Sequence, residues 1–593
     1  MAKPEDSGAC DKAVRKAKCT ALCVFMLAVL AVLVSYIANL QLFRHQEMDS
    51  WAQKQQDVIT VIPGERGTLL DRNGVPLNKS IPAYSLALRI EAIRDPRDTQ
   101  QRTLDKVSEA VSDIASFLGP DFYRTRPGRE AARRHILQNT PMPFILWHDI
   151  ERDAIDRWSQ SRTQFPGTEL VMSWKRHYAV PDSAYHVRGM TTLGNPIYPP
   201  EFKRYNLNYL ELIGRSGLEE VLNPFLAGYG GFEQLRTDVL LYRREVIDSK
   251  KAVRGEDVKA SIDIELQQFI EGIFRESGYS GALALMDLRT SQVVASVSEP
   301  SAILGEHSTA EGTQLNRVLA GYYPPGSTLK PLVAMAALEN GLVTADETIE
   351  CRGGYSLPDG RNVACTAKFG HGPLNLEQAL ARSCNVYFCV LADRLGIEHF
   401  DEVGRDVGLG ERPMTELKGQ ETPGIRFSPE WVAVNRQRQP EWTIGDAANG
   451  GIGQGGWIVT PMQLLIALSA VVTGKRHSPT FVISGFEQPA EDVEWQGANR
   501  QLVLAGMRGC VEYGTGRSMA IPGRVVYAKT GTAQVGAGKV SHALAYAAVD
   551  DGDGRPLLAC SCIVEHGGGG GKVAGPVVRQ ALQKALEIFT SNQ

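Results

Sequence analysis

Ser327 and Lys330 stand three residues apart, behind Pro324-Pro325-Gly326 and at the head of an apolar run of Leu329, Leu332, Val333, Met335, Ala336 and Leu338. A serine hydroxyl is a weak nucleophile at neutral pH and needs a base within hydrogen-bond reach. The spacing and the apolar periodicity predict a helix that opens at Ser327 and carries both side chains on one face. Pro331 is tolerated in the first turn, where amides have no intrahelical partner. Gly341 is placed to cap the far end. A helix N-terminus favours the negative charge that develops on an attacked acyl group. Two more short motifs follow, Ser383-Cys384-Asn385 and Lys529-Thr530-Gly531-Thr532. A bare SxxK turns up by chance about once or twice in a chain of this size, so the weight rests on all three motifs in order.

A second set of residues could hold a metal. Cys351, Cys365 and Cys384 lie near His371, which sits in Phe369-Gly370-His371-Gly372. Three soft thiolates and one imidazole match a closed tetrahedral zinc site. The competing reading is a Cys351–Cys365 disulfide, which an oxidising exterior allows. Of the other cysteines, Cys10, Cys19 and Cys23 belong to the N-terminal tail and apolar run. Cys389, Cys510, Cys560 and Cys562 lie in apolar stretches and read as small packing residues.

Several elements must position these groups. Val525-Val526-Tyr527-Ala528 leads into Lys529 as a strand, and residues 543–549 and 557–564 read as its buried neighbours. Residues 281–287 and 292–297 form a hairpin, preceded by a strand at 255–263 and a helix from about Glu265. A hairpin with flanking helices argues for an α+β sheet domain rather than a parallel array. Leu104, Val107, Ala110, Val111, Ile114 and Leu118 recur at helical spacing, so residues 103–158 read as helices. Asn73-Gly74 reads as a hairpin turn.

The chain of 593 residues is too long for one core. A hydrophobic share of 43%, a charged share of 22% and a net charge of -4 suit a folded protein, and no basic run in the large C-terminal part suggests nucleic-acid binding. Residues 19–43 carry no charged side chain. About 20 apolar residues span a bilayer core. Lys12, Arg15, Lys16 and Lys18 precede this run, so the positive-inside rule places residues 1–18 in the cytoplasm and the rest outside. A cleaved signal peptide is the alternative, but the run is long and Asn39-Leu40-Gln41 offers no small-residue cleavage site.

The three motifs resemble the SxxK, SxN and KTG elements of penicillin-recognising serine acyltransferases. The resemblance extends from Pro63 to the end and is to class B penicillin-binding proteins. Arg66-Gly67 through Gly74 is similar to their RGxxxDRxG element, in which Arg66 and Asp71 would form ion pairs. Arg176-His177-Tyr178, Ala184 through Gly189, and Gly214 through Glu219 are similar to further elements of their non-catalytic module, with His177 and His186 structural. Gly451-Ile452-Gly453-Gln454-Gly455 with Thr460-Pro461 is similar to a scaffold segment behind the site.

The resemblance implies a cytoplasmic tail at 1–18, an anchor at 19–43, an elongated pedestal at 44–254 with a helical head at about 100–165, and a transpeptidase domain at 255–593. It implies Ser327 as nucleophile and Lys330 as its base, depressed by burial and by the Lys529 charge. Ser383 would relay a proton, Asn385 would hold Lys330 and the substrate amide, and Thr530 and Thr532 would grip a carboxylate beside Gly531. The amides of Ser327 and Thr532 would form the oxyanion hole. The GHG element and the cysteine within SxN are similar to the elongation-specific penicillin-binding protein 2 group, which implies structural zinc on Cys351, Cys365, His371 and Cys384. Some members have aspartate at the first two positions. The implied substrates are peptidoglycan stem peptides, with β-lactams as inhibitors. The implied partners are a SEDS-family polymerase of the RodA type and an MreC-like scaffold, at the inner membrane with the catalytic domain in the periplasm. A septal transpeptidase, a β-lactamase or carboxypeptidase, and a β-lactam sensor are the rivals.

Overall fold

The computed structural model describes residues 7–39, 41, 44, 57–95, 97–137, 143–194, 211–237, 243–304, 311–435, 441–483, 489–536 and 539–591. Helix α1, Ser7–Ala38, starts well before the uncharged run because the polar tail continues the same helix. Its stretch Arg15–Ala38 is 24 residues long, none of it buried, which is enough to cross a bilayer by length and composition. Residues 40, 42 and 43 of the expected anchor lie outside the described residues.

The pedestal is built on β1, Pro76–Leu88. Helix α2, Gln100–Leu118, follows it, then strand β2, Phe144–Trp147, and strand β3, Thr168–Tyr178. Strand β3 pairs antiparallel with β1 from Asn78↔Tyr178 to Leu88↔Thr168, and β2 pairs with its other edge at Leu86 to Leu88. Helix α2 buries Leu104, Val107, Val111, Ile114 and Leu118, and Thr99 Oγ1 caps it by accepting from Arg102 N. Strand β2 corrects the all-helical reading of 103–158. Its four residues are too short to show a period, and pairing with β1 decides their conformation.

Arg66 is paired, as expected, but Asp71 makes no ion pair among the described residues. Asp71 Oδ1 accepts from Asn73 N (2.8 Å) and Val75 N (2.7 Å), closing the turn at Gly74. Its Oδ2 accepts from Ile264 N at 3.3 Å, tying the pedestal to α3, Ile264–Glu276. Glu219 is the partner of Arg66, at 2.7 Å, and also accepts from Arg176 (2.7 Å) and Asn78 (2.9 Å). All four residues are buried. Burial opposes ionisation of Glu219, yet the Arg176 and Arg66 charges hold it below the ordinary carboxylate range. Glu219→Ala leaves two buried guanidinium groups without their anion, which should cost about 3–5 kcal/mol. A urea melt of the pedestal with an unmoved midpoint would show the network to be dispensable.

After α3 come β4, Gly281–Asp287, and β5, Gln292–Glu299. Then follow α4, Lys330–Glu339; α5, Asn385–Asp406; and α6, Pro461–Thr473. The chain closes with β6, Val526–Ala533; β7, His542–Asp550; β8, Pro556–Val564; and α7, Ala574–Ser591. The sheet order is β5-β4-β8-β7-β6, antiparallel throughout. Alternation along each strand splits the core in two. Ala282, Ala284, Met286, Leu544, Tyr546 and Ile563 face the cluster containing α4, α5 and α6. Leu283, Leu285, Ala545, Cys560 and Cys562 face α3 and α7. The β4–β5 hairpin and the antiparallel α+β sheet agree with the sequence reading. The expected strand at 255–263 shrinks to Val258–Lys259.

Candidate active site

Ser327 lies on a turn of 3-10 helix, Gly326–Leu329, that runs straight into α4. The expected α-helical start at Ser327 is therefore displaced. Pro331 has no N–H to offer the Ser327 carbonyl, and Lys330 N takes that bond in the tighter pattern. Gly326 has φ 54° and its N donates to Gly453 O at 2.8 Å. A side chain on Gly453 would come within 1.9 Å of Gly326 O, so the Gly-Gln-Gly segment buttresses the serine turn by close backbone approach. Tyr546 Oη, from β7, donates to Thr328 O at 2.8 Å. At the far end, Gly341 has φ 65° and its N donates to Leu338 O, the glycine stop expected for α4.

The second motif reaches the same place from α5. Cys384 is its N-cap residue and Asn385 its first helical residue. Ser383 holds φ 55°, a left-handed conformation rare for serine and a local strain that the surrounding bonds sustain. Lys330 Nζ donates to Ser383 O (2.8 Å), Ser383 Oγ (3.3 Å) and Asn385 Oδ1 (2.7 Å). Lys529 Nζ, from β6, donates to the same Ser383 Oγ at 2.8 Å. One hydroxyl thus bridges two lysines, both with 0% exposure. While it accepts from Lys529, Ser383 Oγ still has its own proton to offer to another partner. Burial, then the Lys529 charge, push Lys330 down to about 7. Burial pushes Lys529 down to about 8.

Ser327, Ser383, Asn385, Thr530, Gly531 and Thr532 line one open cleft of about 740 Å³. Strand β6 is the edge of the sheet, so its outer side is available to pair with an extended ligand. Thr532 is exposed, whereas Thr530 is buried and its hydroxyl bonds Thr515 Oγ1 at 2.7 Å. Two expectations are modified. Among the described residues Ser327 Oγ forms no hydrogen bond, and Lys330 points its donors at Ser383 and Asn385 instead. Asn385 Nδ2 is engaged by Ala364 O at 2.8 Å, so one face of its amide is spent on the protein.

Residues 281–583 match the family model described as penicillin binding protein transpeptidase domain, and residues 61–260 match the one described as penicillin-binding protein dimerisation domain. The chain belongs to the penicillin-binding protein family. It is 28% identical to the peptidoglycan D,D-transpeptidase MrdA of Acinetobacter baumannii, over 92% of this chain and 85% of that protein. It is also 28% identical to MrdA of Escherichia coli, over 95% of this chain and 92% of that protein. A solved complex of penicillin-binding protein PBP2 with MreC from Helicobacter pylori superimposes with a TM-score of 0.75 and 25% identity, covering 90% of this chain and 99% of that one.

In this penicillin-binding protein the cysteine set gathers around Cys384, the residue that follows Ser383. The ligand atoms of Cys351, Cys365, His371 and Cys384 all lie within 4.8 Å of one another. Cys365 Sγ is 3.8 Å from Cys384 Sγ and 3.5 Å from His371 Nδ1, and Cys351 Sγ is 3.6 Å from the same nitrogen. A tetrahedral zinc at ordinary bond lengths sets sulfur–sulfur edges of about 3.8 Å and sulfur–nitrogen edges of about 3.6 Å. The donor set fits such an ion. Cys351 and Cys365 are free thiols, not a disulfide. The hydrogen bond between Cys365 Sγ and Cys384 Sγ pushes Cys365 down and, with burial, Cys384 up.

Several residues of the cleft wall escaped the sequence reading. Thr515 couples to Thr530, and Ser518 Oγ donates to Gly571 O at 2.7 Å. Gly569, Gly570 and Gly571 line the cleft. A side chain on Gly570 would stand 2.2 Å from Gly531 O and from Leu544 O, so the glycine run exists to let this loop lie flat on β6 and β7. The unbroken run of five glycines from Gly567 was the available signal.

Proposed function

We propose that this chain is a membrane-anchored peptidoglycan D,D-transpeptidase that cross-links stem peptides during cell elongation and is inhibited by β-lactams. The observation that carries it is the meeting of Ser327, Ser383 and Asn385 in one cleft, with Lys330 and Lys529 buried behind them and both within hydrogen-bond reach of Ser383 Oγ. Ser327 Oγ attacks the penultimate D-Ala carbonyl of a donor stem and passes its proton to neutral Lys330. A neutral Lys330 keeps two N–H donors for its two short bonds, to Ser383 O and Asn385 Oδ1, and frees a lone pair. Ser383 delivers its proton to the leaving amine and regains one from Lys330, 3.3 Å away, and D-Ala departs. The acyl-serine is then attacked by the amine of a neighbouring stem, which loses its proton through the same relay. Lys529, Thr530 and Thr532 hold the terminal carboxylate at Gly531, and the amides of Ser327 and Thr532 hold the oxyanion, a single donor being worth about 3 kcal/mol.

Zinc on Cys351, Cys365, His371 and Cys384 is structural in this reading. Four protein donors leave no open position for a water. The donor spacing supports it. Its consequence is to fix the backbone of Ser383 and Asn385 on either side of Cys384. The cationic flank Arg15, Lys16 and Lys18 supports a cytoplasmic N-terminus, an inner-membrane anchor and a periplasmic catalytic domain. A SEDS-type polymerase such as RodA and an MreC-like scaffold are the partners of this reading, meeting anchor and pedestal.

Detergent-solubilised full-length chain given a donor pentapeptide and an excess of a diamino-acid acceptor should form the cross-linked product in preference to the hydrolysed tetrapeptide. Tetrapeptide as the dominant product would make the chain a carboxypeptidase.

A further inference from the structure

The catalytic cleft carries more positive charge than one terminal carboxylate requires. Among the described residues none that lines it is Asp or Glu, and the exposed charged groups there are Arg517 and Lys572. The chain as a whole is slightly acidic, with a net charge of -4, so this is a local feature. Neither Arg517 nor Lys572 makes an ion pair among the described residues, whereas some other surface cations do. Arg508 pairs with Glu512 at 2.6 Å, Arg254 with Glu65 at 3.0 Å, and Lys584 with Glu265 at 2.6 Å.

The backbone brings the segments that carry the two cations together. The 2.7 Å bond from Ser518 Oγ to Gly571 O joins their segments one residue from each. Gly571 packs so closely on Thr515 that a side chain there would lie 2.4 Å from Thr515 O. Thr515 in turn bonds Thr530 at 2.7 Å. A continuous wall therefore runs from the Lys529-Thr530 carboxylate site outward to Arg517 and Lys572, and the glycine loop gives it no side chains to obstruct an extended peptide.

We propose that Arg517 and Lys572 form a second carboxylate-binding locus, reading a carboxylate of the stem peptide other than the terminal one; this rests on the transpeptidase reading above. The shared chemistry is an anionic peptide, and its carboxylate belongs either to the donor stem or to the acceptor. Charge-assisted contacts of this kind are worth about tenfold each.

The test uses solubilised full-length chain and two synthetic stem pentapeptides, identical except that the internal carboxylates are free in one and amidated in the other. D-Ala release reads the donor role, and transfer to the free or amidated acceptor reads the acceptor role. Wild type should prefer the free-acid peptide by about tenfold or more in one of the two assays. Arg517→Gln with Lys572→Gln should flatten that ratio towards unity, and Arg517→Lys with Lys572→Arg should keep it. Penicillin labelling reports that each variant is folded. A wild type indifferent to amidation in both assays, or a doubly neutral variant that keeps the preference, would overturn the proposal. A wild type that neither labels with penicillin nor releases D-Ala would overturn the transpeptidase reading itself, and this inference with it.

Discussion

Lys330→Ala should slow acylation of Ser327 by about a thousandfold, the usual worth of a positioned general base. Lys330 sits at the centre of the constellation, within 2.8 Å of Ser383 O and 2.7 Å of Asn385 Oδ1. It has the depressed basicity the role requires, at about 7 through burial and the Lys529 charge. The pH profile separates this role from a structural one. Below about 7 Lys330 is protonated and has no lone pair, so the acylation rate of the wild type should fall with pH. Above about 8 Lys529 loses the charge that holds the substrate carboxylate, so the rate should fall again. The two lysines interact, and the two arms belong to the pair. The Lys330→Ala variant should lose the acid arm and keep the alkaline one. Penicillin labelling within tenfold of wild type, with the acid arm intact, would remove Lys330 from the role of base.

Loss of the Cys/His cluster should cost stability and acylation together. Cys384 is both a member of the cluster and the N-cap of α5, between Ser383 and Asn385. The cluster loop is tied back to the site by Asn385 Nδ2 donating to Ala364 O at 2.8 Å. Ser383 is held at φ 55°, a conformation that relaxes once its neighbour is freed. Purified chain should contain about one zinc per molecule. Chelation under reducing conditions, or Cys384→Ser, should lower Tm by about 5 °C or more and acylation by about 10–100-fold. Reductant without chelator should change neither, because no disulfide is at stake. Absence of zinc, together with unchanged Tm and labelling in Cys384→Ser, would refute the metal reading.

What was legible in the chain follows from range. The β4–β5 hairpin, the apolar face of α2 and the glycine stop of α4 are written in local periodicity and turn chemistry, and the structure shows each. The three motifs were legible because each is short and continuous, and folding draws them into one cleft. What stayed hidden is non-local. Thr515 is remarkable in sequence only once Thr530 is beside it, and Arg517 and Lys572 lie far apart in the chain. Strand β2 is too short to announce itself within a helical head. The RGxxxDRxG resemblance implies an ion pair for Asp71, but a carboxylate beside Asn73-Gly74 is taken up by the local backbone amides of Asn73 and Val75.

The central claim is that Ser327 forms the acyl-enzyme. Intact mass of the solubilised full-length chain, followed in time after addition of penicillin and beside Ser327→Ala, tests it most directly. A single adduct that persists after excess drug is removed, and is absent from Ser327→Ala, is the expected result. A folded wild type that gains no mass, or an adduct that survives in Ser327→Ala, would contradict it.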